Sequence, residues 1–85
     1  MKKHLASITI FSDDRHNNAV KLQKILTDNG NLIMARLGVN PARMCSVKCP
    51  GIIVLIVEGT SQEISGLTRK IDKIYAMRAK SLIIA

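Results

Sequence analysis

Aromatic side chains are nearly absent from this chain: Phe11 and Tyr75 stand alone, and there is no tryptophan. Proteins that read single-stranded RNA on an open sheet stack bases on several surface aromatics. Only Phe11 falls on a strand pattern, so a stacking platform of that kind is not expected. Histidine and cysteine are equally scarce, with His4, His16, Cys45 and Cys49 the full set. A structural zinc site takes four ligands. Cys45 and Cys49 supply two, and the histidines fall on other segments, so neither a metal nor another cofactor is expected. No Ser-His-Asp or Cys-His group can be brought together from the sequence, which argues against an enzyme. No apolar run approaches the ~20 residues that cross a bilayer as a helix.

What is present is apolar and basic. Of 85 residues 47% are hydrophobic, a composition for one globular domain, residues 1–85, and not for a disordered chain. A core of this size is limited, and burial against a second copy is a common remedy. Thirteen Lys and Arg against six Asp and Glu give a net charge of +7. Such a surface attracts nucleic acid or other anions and also keeps a protein soluble. The opening "MKKHLASITIFSDD" has a basic flank and a short apolar run. Charged residues follow where a small-residue cleavage site would stand, so the segment is expected to be structure. The expected location is the cytoplasm, with both cysteines reduced and no membrane partner.

Periodicity orders the rest. Leu5–Phe11 alternates as a strand, with Ala6, Ile8 and Ile10 on one face. Ser12, Asp13 or Asp14 can cap a following helix that carries Ala19, Leu22, Ile25 and Leu26 at helical spacing. Capping also accounts for Asp13 and Asp14 without a bound cation, and His16 is expected to face solvent. Asp28–Asn31 stops the helix. Leu32–Val39 is a second strand, with Ile33, Ala35, Leu37 and Val39 expected on one face and Leu32, Met34, Arg36 and Gly38 on the other. Asn40–Gly51 is a loop. Ile52–Glu58 is a continuous β-branched run, a buried central strand. Thr60 and Glu63 form a capping-box pattern ahead of Ile64, Leu67, Ile71 and Ile74. Tyr75–Ala85 is the last strand.

The order is β-α-β-β-α-β, a ferredoxin-like α+β fold with an antiparallel four-stranded sheet and two helices on one face. The other sheet face is left rich in apolar side chains, which marks a protein–protein contact. Phe11, Leu32, Met34, Leu82 and Ile84 are its expected oligomer-forming residues. Arg36, Arg78 and Lys80 are expected to share that face.

"RLGVNP" after the second strand, then "GIIVLIVEG" and "ISGLTRKIDKI", resemble the small bacterial family of iron-only hydrogenase system regulators. These are ACT-like domains, related in fold to the C-terminal domain of the nickel-responsive repressor. The resemblance runs from Leu5 to about Ile84. It implies a homo-oligomeric regulatory or ligand-binding domain without catalysis. It does not bring the repressor's nickel site, whose histidines are replaced by "MARLGVNPARMC" here. Nor does it bring the usual amino-acid mode of ACT domains, since the turn "FSDDRHN" has no glycine.

The candidate ligand or interface residues are Arg36, Gly38, Asn40, Pro41, Cys45 and Cys49. The last two are expected as free thiols, because a pair of ligands is too few for a metal and Cys-x3-Cys is not the spacing of redox pairs. The function expected is a non-enzymatic regulatory domain, a dimer or tetramer, that binds a small ligand or forms part of a transcription regulator. The alternative is a nucleic-acid-binding module that uses the basic surface. Its binding would fall steeply with salt.

Overall fold

The first strand does what its alternation requires. The computed structural model describes residues 2–39 and 50–85, and of Arg15 and His16 the backbone alone. Ala6, Ile8 and Ile10 of β1 (His4–Ser12) are buried beneath the helices, with Ser12 at the end of the same row. β1 is paired along its length with β3 (Gly51–Gly59) and on its other side with β4 (Met77–Ile83), both antiparallel. β2 (Ile33–Val39) pairs with β3 alone, so the sheet order is β2-β3-β1-β4 and the edges are β2 and β4. The helices are α1 (Arg15–Asp28) and α2 (Ser61–Asp72). This is the βαββαβ order expected from the sequence.

α2 is the firmer of the two helices. Thr60 accepts a bond from the Glu63 backbone N–H and Glu63 returns one to Thr60, closing the capping box. Ile64, Leu67 and Ile71 then enter the core against Leu55 and Val57 of β3. The helix ends at Asp72, so Ile74 packs from the following turn and not from the helix. α1 rests on Leu22 and Leu26, leaves Val20 in solvent, and has no capping bond from the Asp14 side chain to a backbone N–H. The last strand is shorter than Tyr75–Ala85. Tyr75 is exposed, and Ala76 takes a left-handed conformation, φ 61°, before β4 begins.

β2 departs from simple alternation. Ile33 pairs with Val57, yet Ala35 pairs with Ile56, so Met34 is an extra residue, a β-bulge. Cross-strand partners share a face, and Val57 and Leu55 point into the core. Ile33, Arg36 and Gly38 therefore lie on the helix side, and Ala35, Leu37 and Val39 on the open side. Arg36 does not share a face with Arg78 and Lys80, which pair with Phe11 and Thr9 across the open face. Leu32 is corrected as well. It precedes β2, closes a turn through its N–H to the Asn29 carbonyl, and is buried in the core at 8% exposure.

Candidate functional site

The bulge decides what lies beneath α1. An unbulged strand would turn Leu37 toward the helix. Instead that side of β2 presents Arg36, whose long stem reaches the rim, and Gly38, which presents nothing. A Cβ built on Gly38 meets no atom within 4 Å among the described residues. The result is a cavity of about 370 Å³ between α1 and the sheet. Its floor is Ile10, Gly38 and Ile53, with Met77 beyond. Its roof is Asn18, Ala19, Leu22 and Gln23 of α1. Val39 and Gly51, from which residues 40–49 depart, line one end of it.

Two polar groups sit deep in this space. Ser12 and Asn18 are 4% and 6% exposed. The Asn18 Nδ2 donates to Ser12 Oγ at 3.2 Å, and Ser12 Oγ also takes the Asp14 backbone N–H at 3.2 Å. The junction of β1 and α1 is thus held through Ser12, while the Asp14 side chain makes no capping bond to a helix N–H. Asp14 itself receives the Asn17 side-chain amide. At the rim, Arg36 Nη1 donates to Gln23 Oε1 at 3.2 Å, and Gln23 Nε2 donates to Thr27 at 3.3 Å. A guanidinium has five N–H groups, so this bond leaves donors over.

Of the candidate residues named from the sequence, Arg36 and Gly38 both line the cavity. Asn40, Pro41, Cys45 and Cys49 lie outside the described residues. Among the oligomer residues, Phe11 is half-buried on the open face between Ile52 and Arg78, and Leu82 is exposed on it beside Ser7. Met34 is exposed at the bulge, and Ile84 is exposed just past β4, its N–H bonded to Leu5. Leu32 does not belong to the face. The open face is instead most apolar where Ala35, Leu37 and Val39 lie beside Ile56, Val54 and Ile52. Ser12, Asn18 and Gln23 were not singled out as site residues by their sequence pattern. The signal was there for Asn18, which stands four and eight residues before Leu22 and Leu26 on the buried stripe. Among the described residues no cluster of three His, Cys, Asp or Glu is placed to hold a metal. No described helix is long and apolar enough to cross a membrane.

Sheet order, helix placement and the turn-to-helix junction together define an ACT-like domain. The ACT domain of the GTP pyrophosphokinase of Chlorobium tepidum superposes with a TM-score of 0.75 at 13% identity, over 95% of this chain and 100% of that one. The uncharacterised protein TM1266 of Thermotoga maritima reaches 0.85 at 24% identity, over 99% of this chain and 100% of that chain. An unknown protein from Galdieria sulphuraria shares the fold at 0.64 and 7% identity, over 99% of this chain and 46% of its own. Residues 4–81 match the model of the TM1266-like family, described as a candidate regulator of the iron-only hydrogenase system, and the chain belongs to that family. No curated protein matches the chain.

Proposed function

We propose that this chain is a homo-oligomeric, non-catalytic regulatory domain of the cytoplasm that binds a small ligand beneath α1. The observation that carries the reading is the cavity at Gly38. About 370 Å³ falls within the size range of small-molecule pockets, and apolar walls with a few placed polar groups are their usual lining. α1 forms its roof and packs less tightly than α2, so occupancy of the cavity would change how α1 sits on the sheet. The open face, with Leu37 63% exposed beside Val54, supplies a surface for a second copy. The regulatory output, including any part in transcription, would pass through that assembly.

Native mass spectrometry of protein purified from cells tests both halves. The expected result is an oligomer carrying a small-molecule adduct, with the adduct lost in Gly38→Leu, whose side chain intrudes on the floor of the cavity. A strict monomer at micromolar concentration overturns the assembly half. An adduct retained unchanged in Gly38→Leu overturns the cavity as the ligand site.

A further inference from the structure

The cavity beneath α1 is chemically one-sided. Among the described residues that line it, Arg36 is the one that carries a charge, and none is Asp or Glu. Among the described residues Arg36 takes part in no ion pair, and its hydrogen bond goes to the neutral Gln23. At the buried end the polar groups are neutral as well, Ser12 and Asn18 bonded to each other. Between the two ends the walls are hydrocarbon, from Ile10, Leu22 and Ile53. A ligand suited to this space carries negative charge at one end and an apolar body, and no cation. Among the described lining residues an ammonium group taken from water would meet no counter-charge, which is costly. A carboxylate at the rim would gain charge-assisted bonds from the guanidinium donors that Gln23 leaves over.

We infer that the cavity takes a small aliphatic monocarboxylate, its carboxylate on Arg36 and its hydrocarbon body against Ile10, Leu22 and Ile53, and that it discriminates against the corresponding amino acid. This rests on the reading that the cavity is a ligand site, and it names the ligand class. Gly38 is the residue that makes room. A side chain there would occupy the space the hydrocarbon body needs, whereas Arg36 contributes only to the charged end. The two residues therefore divide the recognition between them, and they can be separated by experiment.

The test is a titration followed by amide NMR shifts, with three probes that differ at one group: 4-methylpentanoate, 4-methylpentanamide and leucine. The carboxylate is expected to move the resonances of Asn18, Gly38 and Ile53. The amide, which lacks the charge, and leucine, which adds an ammonium, should each bind about tenfold more weakly or worse. Arg36→Gln should bring the carboxylate down to the level of the amide, and Gly38→Leu should remove all three responses. Gly38→Val serves the same purpose if the leucine variant does not fold. Leucine binding as tightly as the carboxylate, or Arg36→Gln without effect, overturns the proposed class while leaving a ligand site in place. No response from any probe at these residues, with a cellular adduct still lost in Gly38→Leu, also overturns the class and spares the site. The loss of both signals overturns the site itself.

Discussion

A carboxylate oxygen of Asp72, at the end of α2, accepts a hydrogen bond of 2.9 Å from the backbone N–H of Ala79 in β4. β4 pairs only with β1, so this N–H belongs to the open edge of the sheet. Asp72 satisfies one edge donor and ties the helix end to the strand that follows it. It also blunts an edge that could otherwise pair with another chain. Asp72→Ala should cost about 1 kcal/mol, with Asp72→Asn closer to wild type because its amide oxygen can still accept. Chemical denaturation at fixed protein concentration measures the difference. Equal stability of all three proteins would show the bond to contribute nothing.

Ala76 is held at φ 61°, and its carbonyl accepts the Asp13 N–H at 2.9 Å. A left-handed backbone costs an alanine roughly 1–2 kcal/mol, and glycine escapes that cost while losing more freedom on folding. Ala76→Gly should therefore stabilise the fold by about 0.5–1 kcal/mol, the relief exceeding the entropy lost. Thermal unfolding should show a rise of a few degrees. A lower midpoint would mean that the turn is not strained.

Thr60 and Glu63 satisfy two N–H groups at the start of α2. Thr60→Ala removes one of these bonds and frees Glu63 from its fixed geometry. The expected loss is about 1 kcal/mol, read as faster amide exchange in the first turn of α2 before any change in the sheet. Equal exchange rates in both proteins would contradict it.

Val54 stands between Leu37 and Thr9 near the middle of the open face. Val54→Lys places a charge where a second copy is proposed to pack, and it leaves the residues under the helices untouched. Sedimentation should show the variant as a monomer with an unchanged circular dichroism spectrum. An oligomer of wild-type size and affinity would place the contact elsewhere, with the edge strand β2 the next surface to test.

Local order and the order of strands in the sheet were legible in the sequence, and the register of β2 was not. β1 and α2 follow from alternation, a helical stripe and a capping box, each of which acts over a few neighbouring residues. Arg36 and Leu32 were misplaced because their positions are set by β3 and by the turn at Asn29, neither of which leaves a mark on simple alternation. Gly38 carried a signal, since a glycine inside a strand weakens it and often marks a bulge or a close approach. The pattern could say that something interrupts β2, but not that the bulge falls at Met34, and the whole content of the cavity depends on that position. The Asn40–Gly51 loop was expected to hold part of the site, and all of it before Pro50 lies outside the described residues.

Met34 is surplus length. The partners on either side of it, Ile33 with Val57 and Ala35 with Ile56, occupy consecutive rungs of β3. Removing Met34 would therefore leave every downstream pairing, and the cavity with it, where it is. Shortening the strand by any residue between Arg36 and Val39 would instead shift the phase of what remains. A protein of this fold one residue shorter here is thus ambiguous in a sequence alignment. A gap set opposite Met34 keeps the same pocket, and a gap set three positions later exchanges it for a filled core.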